Sequence, residues 1–201
     1  HDAKEYGSIL TVTQQDWNAL YGRFAEINKD VNMFNDAVLE LLAPLVNVAK
    51  TLADKYDIVV TNPPYMGINN MGGRFYKYIT GEFEAYKHDL YCVFINVCHR
   101  MLRNNRFQAM ITQQSFMFNS RYEKARISIN LENTCVSLLH LGARAFEEIG
   151  GEVVQAATFV LFSNTSQKYM GIFIDLQDGD SQQEKENEFL KSFWVGFQKK
   201  Y

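Results

Sequence analysis

The residues best suited to chemistry are Asn62, Pro63, Pro64 and Tyr65, which directly follow an apolar run. The β-branched residues of that run predict a buried strand that ends at this turn. Two prolines fix φ and remove backbone donors, and they also hold the preceding residue extended. Asn62 is therefore expected to project from the sheet edge into a cleft, where its amide suits a planar exocyclic amine. Tyr65 offers a flat face for stacking on a ring. The alternative is a common Asn-Pro turn after a strand.

Composition limits the class of protein. The chain has 201 residues, of which 47% are hydrophobic, so it can form one domain or a domain with an appendage. No apolar run approaches the ~20 residues of a membrane span, and the first residues show no signal peptide. Cys92, Cys98 and Cys135 lack CxxC spacing, which argues against a disulfide framework or zinc site and favours the reducing cytoplasm. The net charge of −3 indicates that this chain alone does not grip nucleic-acid phosphates.

The hydrophobic pattern changes near residue 55. Before it, apolar residues recur at three-to-four spacing and predict a helical segment over 1–55, with a short strand at Ser8–Val12. Thr13 with Asp16 three residues later predicts an N-cap with an acidic first turn. Pro44 is expected to kink or divide the second helix.

From residue 56 onward, strand and helix patterns alternate, and this predicts an α/β sheet. The predicted strands are Ile58–Thr61, Gln108–Thr112, Val136–Leu141, Ala156–Ser163 and Tyr169–Asp175. The predicted helices are Asp89–Arg103, Tyr122–Asn130 and an amphipathic end at Glu188–Phe197. The remaining segments are predicted as a loop from Met66 to about Phe83, an edge loop at Ser115–Phe118 and a polar linker at Asp178–Lys185.

A glycine-rich turn after the first strand is what a nucleotide-type cofactor needs in a doubly wound sheet, because bare backbone must approach the ligand. The glycine pairs of this chain are Gly72-Gly73 and Gly150-Gly151. Neither follows a predicted strand and opens a helix in the required way, so both are predicted to lie in loops or hairpins. We therefore expect the chain to be a piece of a longer protein.

Further motifs follow the Asn-Pro-Pro-Tyr turn in a specific order. They are Asp89-Leu90-Tyr91-Cys92-Val93-Phe94, Arg106-Phe107-Gln108-Ala109-Met110-Ile111-Thr112, and His140-Leu141-Gly142-Ala143-Arg144-Ala145-Phe146 with Gly150-Gly151-Glu152-Val153-Val154-Gln155 after it. Together with the turn, they resemble the adenine-specific DNA methyltransferases that use S-adenosylmethionine, and most of all the BREX phage-exclusion subgroup. The resemblance covers about residues 55–165. It departs from the family in lacking the glycine-rich loop and in having Arg-Asn-Asn-Arg at 103–106 in place of a glycine-containing turn.

The resemblance implies roles for individual residues. It makes Asn62, Pro63, Pro64 and Tyr65 the catalytic turn, with the Asn62 side chain and a proline carbonyl accepting hydrogen bonds from the target amine. Tyr65 and Phe146 would sandwich the flipped base, although loop packing is the alternative for Phe146. The cofactor-binding candidates are Asp89 and Phe94. Asp89 is otherwise a helix N-cap, and Phe94 is otherwise a core aromatic.

The resemblance also implies an organisation. The fold would be the C-terminal part of a Rossmann-like S-adenosylmethionine methyltransferase sheet, preceded by the helical segment. Residues 56–165 would be the catalytic half of the domain, and residues 166–201 would be a strand, linker and terminal helix leading toward a recognition domain outside the chain. Double-stranded DNA would be bound mostly by other regions, and exposed apolar surface would favour a homodimer of this piece.

Two other classes of function stay open. One is a methyltransferase that acts on a protein glutamine or an RNA base, because the same turn serves other planar amides and amines. The other is a non-catalytic assembly module, an α/β half-domain whose helical N-terminus holds a partner. A strand followed by a glycine-rich turn upstream of His1 would favour the enzyme.

Overall fold

The computed structural model describes residues 6–29, 33–145, 154–166 and 168–198. The chain divides into two compact units, His1–Lys55 and Tyr56–Tyr201. In the described part, no helix is long and apolar enough to cross a membrane.

The first unit contains two helices, α1 (Trp17–Ile27) and α2 (Met33–Ala53). The Asp16 side chain caps α1 by accepting a hydrogen bond from the Ala19 backbone N–H at 2.9 Å. The two helices are linked by the Tyr21 hydroxyl, which donates to Asn47 Oδ1 at 2.6 Å. The helical pattern is therefore confirmed, but the cap is Asp16 itself and not Thr13.

One prediction for this unit is wrong, and another is decided only in part. Gly7–Ile9 forms a 3₁₀ turn where a strand was predicted, because Gly7 has a φ of +55° that turns the chain before an extended run can begin. Pro44 lies inside α2 and does not divide it, whereas a kink at this residue stays a prediction. The Pro44 side chain is exposed, and solvent at that face can satisfy the carbonyl that the missing N–H leaves free.

The second unit is built on a sheet of five strands in the described residues. The strands are β1 (Tyr56–Thr61), β2 (Leu102–Gln113), β3 (Thr134–Gly142), β4 (Ala156–Phe162) and β5 (Ile172–Asp175). Their order is β1-β2-β4-β3-β5, and β4 runs antiparallel to both of its neighbours, whereas β1 is parallel to β2 and β3 is parallel to β5. The carboxyl ends of four strands and the start of β4 thus meet at one edge of the sheet. All five strand predictions are confirmed.

The helices of this unit are α3 (Gly73–Glu82), α4 (Leu90–Met101), α5 (Ser115–Phe118), α6 (Glu123–Glu132) and α7 (Gln182–Gln198). Most of α4 is buried, as expected for a helix that is apolar nearly all round, and it packs on β1 and β2. Alternate residues of β2, Gln108, Met110 and Thr112, are buried. The core therefore lies between α4 and the sheet, directly behind the turn that follows β1.

Three segments differ from the sequence-based expectation. The predicted loop between Met66 and Phe83 contains α3, which is anchored by the buried side chains of Phe75 and Ile79 at four-residue spacing. Gly72 and Gly73 cap and open this helix. The two glycines and the aromatic residues after them have low helix propensity, so the sequence did not predict a helix here.

The other two differences are a short helix and an earlier helix start. Ser115–Phe118 is the helix α5 and not an edge loop, because Phe116 is buried and fixes it. The polar linker is shorter than predicted, since α7 already begins at Gln182. Lys185 in α7 is buried, and its ammonium donates to the Leu176 carbonyl oxygen at 2.7 Å.

β1 is an edge strand of the described sheet, and one of its faces is open. Ile58 and Val60 are 66% and 71% exposed. Their register partners on β2 are Phe107 and Ala109, and Phe107 is also exposed. Further chain can pair with the open edge of β1 and pack on its exposed apolar side chains.

Candidate active site

The Asn-Pro-Pro-Tyr turn leaves the sheet directly after β1. Asn62 and Pro64 are exposed, Pro63 is buried, and Tyr65 is half-buried. The buried Pro63 anchors the turn. The exposed Asn62 therefore presents its side-chain amide to solvent at the carboxyl edge of the sheet. This edge is where open α/β sheets bind their ligands. An exposed amide on an anchored backbone can accept a hydrogen bond from a planar amine.

The ring of Tyr65 rests on the ring of Tyr91 in α4. The two centroids are 5.9 Å apart with an interplanar angle of 83°, an edge-to-face contact. The Tyr65 hydroxyl is buried without a hydrogen-bond partner in the described part of the chain. Burial, and secondarily the Asp89 charge, raises the pKa of this phenol. The ring is thus held by packing and not by its hydroxyl.

Asp89 ties the turn to the start of α4. Its Oδ1 accepts hydrogen bonds from the Met66 N–H at 3.0 Å and from the Tyr91 N–H at 3.3 Å. The second bond makes Asp89 the N-cap of α4, so this alternative from the sequence is confirmed. Burial raises the pKa of the carboxyl group, and the N–H donors of Tyr91 and Met66 oppose that shift. A direct role of Asp89 in holding the cofactor stays a prediction.

Tyr91 belongs to a layer of aromatic rings beneath the turn, and no role for it was predicted from the sequence. The residue is fully buried, and its hydroxyl shares a hydrogen bond of 2.9 Å with Ser115 Oγ at the start of α5. Its ring also contacts Phe116 and Tyr122. The available signal in the sequence was that Tyr91 follows the N-cap Asp89 by two residues. This spacing puts Tyr91 in the first turn of the helix that lies behind the Asn-Pro-Pro-Tyr turn.

The two remaining site candidates are Phe94 and Phe146. Phe94 lies on α4 and is half-buried, whereas Val93 and Ile95 beside it are buried. It is therefore available to a ring-shaped ligand without being a pure core residue, and its cofactor role stays a prediction. Phe146 lies outside the described residues, as does the Gly150-Gly151 pair.

A polar network occupies the same sheet edge beyond β2. Gln114, just after β2, pairs through its side chain with Gln155, just before β4. The Nε2 of His140 donates to the Gln114 side-chain oxygen, since an amide oxygen can only accept. The Nδ1 of His140 lies 3.7 Å from Asp175 Oδ1 at the end of β5. His140 is thus buried, and each of its ring nitrogens faces a polar group of the protein.

At the opposite end of β1, Asp57 pairs with two arginines. Its carboxylate accepts from Arg103 at 2.8 Å and from Arg106 at 2.5 Å. The hydrogen bond from Arg106, followed by that from Arg103, lowers the pKa of Asp57. The register between β1 and β2 shifts here, and Asn105 takes a positive φ of 59°. Residues 103–106, at the start of β2, therefore form an exposed irregular stretch that these ion pairs hold to β1.

Metal chemistry has no cluster to support it in the described residues, where no three His, Cys, Asp or Glu side chains are grouped to hold an ion. The three cysteines are free thiols. Burial raises the pKa of Cys92 and Cys98, so these thiols are poor nucleophiles.

A comparison with protein families decides the class. Residues 6–146 match the Eco57I restriction-modification methylase family. The chain belongs to this family. The resemblance seen in the sequence is confirmed.

Two curated relatives agree with this membership. The adenine-specific methyltransferase BrxX of Escherichia coli O9:H4 (strain HS) is 37% identical over 94% of this chain and 16% of its own length. The adenine-specific methyltransferase PglX of Lacticaseibacillus casei (strain Zhang) is 40% identical over 74% of this chain and 12% of its own length. The chain thus spans less than a fifth of the length of either relative.

Solved structures share the fold of this methylase-family chain. The DrdV–DNA complex superimposes with a TM-score of 0.55 at 18% identity, over 71% of this chain and 17% of that one. A nuclease-deletion mutant of the Type ISP restriction-modification enzyme LlaGI, in complex with a DNA substrate mimic, gives 0.54 at 15% identity, over 82% of this chain and 18% of that one. The predicted α/β methyltransferase fold is confirmed.

The described residues of this family member fit only one side of an S-adenosylmethionine site. The amide of Asn62 lies where a target amine could be held, and Phe94 offers a half-buried ring. The glycine pair at 72–73 opens α3 after a 3₁₀ turn and not after a strand, so it forms no cradle for the amino-acid end of the cofactor. A complete cofactor site is therefore not present in the described part.

Proposed function

We propose that this chain forms the target-amine half of a site-specific DNA adenine N6-methyltransferase that acts in phage defence or restriction-modification. The observation that carries the proposal is the exposed amide of Asn62 at the carboxyl end of β1, on a turn anchored by the buried Pro63 and the packed ring of Tyr65. Family membership and two relatives named as adenine-specific methyltransferases support it.

Asn62 and the carbonyl of Pro63 accept hydrogen bonds from the exocyclic amine of the adenine. These two acceptors raise electron density on the nitrogen as it becomes pyramidal, so the reaction needs no strong base. They also hold the amine in line with the incoming methyl group, and most of the rate enhancement comes from this positioning and from local electrostatics. Pro64 keeps the turn rigid by fixing φ.

The adenine reaches the turn by rotating out of the duplex, which costs a few kcal/mol of stacking and pairing. Stacking on the ring of Tyr65 offsets part of that cost, at about 1–3 kcal/mol for each base–aromatic contact. Phe146 is proposed to cover the other face of the base. The pairing of Tyr65 with Tyr91 fixes one wall of this slot from behind.

S-adenosylmethionine supplies the methyl group when it is bound. In this chain, Phe94 of α4 is proposed to contact the cofactor adenine. The remaining contacts are proposed to come from regions that pair with the open edge of β1, where Ile58 and Val60 are exposed.

Double-stranded DNA is the proposed partner, bound mostly through regions outside this chain, because the chain carries a net charge of −3. Restriction-modification enzymes of the same fold are seen with DNA or a DNA substrate mimic. The proposed location is the cytoplasm. The open face of β1 is the surface through which the isolated chain would form a homodimer.

The substrate class is tested by offering the full-length protein duplex DNA, RNA and protein together with S-adenosylmethionine labelled in its methyl group. The expected result is label in DNA that co-elutes with N6-methyl-2′-deoxyadenosine after digestion to nucleosides. Label in glutamine or in RNA, with none in DNA, would overturn the proposal. No label in any substrate would favour an assembly module.

A further inference from the structure

We propose that Asp89 is a positioning residue for the Asn-Pro-Pro-Tyr turn and acts through the ring of Tyr65. This inference rests on the proposed function and assigns Asp89 to the base side of the site. Asp89 is 8% exposed, and its Oδ1 is engaged by backbone N–H groups of the protein.

The backbone of the turn is bound to the start of α4 by a short ladder of hydrogen bonds. The Met66 N–H donates to Asp89 Oδ1 at 3.0 Å, and the Leu90 N–H donates to the Met66 carbonyl at 3.0 Å. The Ile68 N–H donates to the His88 carbonyl at 3.1 Å, and Gly67 and Asp89 form an isolated antiparallel bridge. The residue directly after Tyr65 is therefore held on both its donor and its acceptor.

The same carboxylate also fixes the residue that supports the Tyr65 ring. Asp89 Oδ1 accepts from the Tyr91 N–H at 3.3 Å, and the Tyr91 ring meets the Tyr65 ring at 5.9 Å. Asp89 Oδ1 thus links the Met66 N–H, directly after Tyr65, to the N–H of Tyr91, whose ring supports the Tyr65 ring. Removing that oxygen frees both sides of the contact at once.

Backbone N–H groups donate hydrogen bonds to the Asp89 carboxylate. Hydrogen bonds from Tyr91, Met66 and Leu90 favour the carboxylate against the cost of burial. An asparagine at this position keeps one acceptor oxygen of the same reach. A purely geometric role therefore predicts that Asp89→Asn works and Asp89→Ala does not.

The experiment compares Asp89→Ala, Asp89→Asn and Asp16→Ala in the full-length protein. Asp16 is the matched control because it caps α1 through the Ala19 N–H and does not belong to the turn. Three readouts are taken: the affinity for S-adenosylmethionine, the fluorescence of a duplex with 2-aminopurine at the target adenine, and the methylation rate. A fourth is amide hydrogen exchange at Met66, which is measured without substrate.

We expect Asp89→Ala to lower the 2-aminopurine signal and the methylation rate by about tenfold or more, as the loss of a hydrogen bond to a charged group predicts. Cofactor affinity should stay within about twofold, which is a small free-energy change. Exchange at Met66 should rise, Asp89→Asn should restore all readouts, and Asp16→Ala should leave all four readouts at their wild-type values.

A loss of cofactor affinity in Asp89→Ala with an unchanged 2-aminopurine signal would overturn the inference and make Asp89 a cofactor residue. Behaviour of Asp89→Ala equal to that of Asp16→Ala would also overturn it. If the wild-type protein methylates no DNA, the proposed function fails. Exchange at Met66 then still decides whether Asp89 holds the turn, because slow exchange that survives Asp89→Ala would contradict it.

Discussion

The ring of Tyr65 meets the ring of Tyr91 edge-on, with centroids 5.9 Å apart and planes at 83°. Tyr65 belongs to the turn after β1 and Tyr91 to the first turn of α4, so this contact joins the exposed site to the buried core. Because the Tyr65 hydroxyl has no partner in the described residues, the ring itself carries the contact.

Replacing Tyr65 separates the ring from its hydroxyl. Tyr65→Phe should keep most of the methylation activity and an equal or higher melting temperature, because it removes a buried polar group that lacks a hydrogen bond. Tyr65→Ala should lose much of the activity, since it removes the stacking face. Methylation assays with thermal unfolding check both. A Tyr65→Phe variant as inactive as Tyr65→Ala would show that the hydroxyl, and not the ring, is required.

The same substitution logic tests Phe146, which the resemblance places on the other face of the base. Phe146→Trp should be tolerated, whereas Phe146→Ala should weaken binding of a duplex with a flipped 2-aminopurine by about 1–3 kcal/mol. If Phe146→Ala instead lowers the melting temperature and leaves base binding unchanged, the residue packs in the protein and the sandwich is wrong.

Asp57 predicts a pH-dependent contribution to stability. Its pKa is lowered by Arg106 and Arg103, so the stabilisation is present above the pKa of the unfolded chain and is lost as pH falls through the folded-state pKa. Asp57→Asn should therefore lower the melting temperature at neutral pH, and the difference should vanish in acid and shrink at high salt. Asp178→Asn, an exposed site before α7, is the control. An Asp57→Asn difference that is the same at all pH values would contradict the ion pairs.

Asp89 predicts the opposite dependence, because burial raises its pKa. The wild type should be most stable relative to Asp89→Asn below the unfolded-state pKa. It should lose that advantage as pH rises through the folded-state pKa. Chemical unfolding of both proteins across this range checks the sign. An advantage of the wild type that grows with pH would show that the N–H donors outweigh burial.

Most of the sheet could be predicted from the sequence, since β-branched runs bounded by turn residues mark each strand. The helix α3 could not, because Gly72-Gly73 and the aromatic residues after it have low helix propensity, and only the burial of Phe75 and Ile79 decides it. Asn62 was placed at a strand end by the two prolines alone. The bond between Asp89 and Met66 joins residues 23 apart in sequence, so tertiary structure was needed to find it.

Cofactor binding tests whether this chain forms only the target-amine half of the active site. The described residues contain no glycine cradle after a strand, so the loss of several kcal/mol of contacts should move a micromolar affinity for S-adenosylmethionine toward millimolar, since each ~1.4 kcal/mol is tenfold. Calorimetry on the isolated chain should therefore detect no micromolar binding and no methylation, although the chain folds. Clear micromolar binding would show that the described residues hold the cofactor by themselves.

The most direct measurement is the methylation rate of Asn62→Ala in the full-length protein, with Asn70→Ala as the control. Asn62 is exposed, so the melting temperature should not change. The hydrogen bond from the amine to the Asn62 oxygen is lost, at about 1.5–3 kcal/mol for a donor that gains charge, which predicts an about ten- to hundredfold lower rate of adenine methylation. Asn70→Ala, at an exposed amide in the following 3₁₀ turn, should match the wild type. A near-normal rate in Asn62→Ala would contradict the assignment of this turn as the catalytic site.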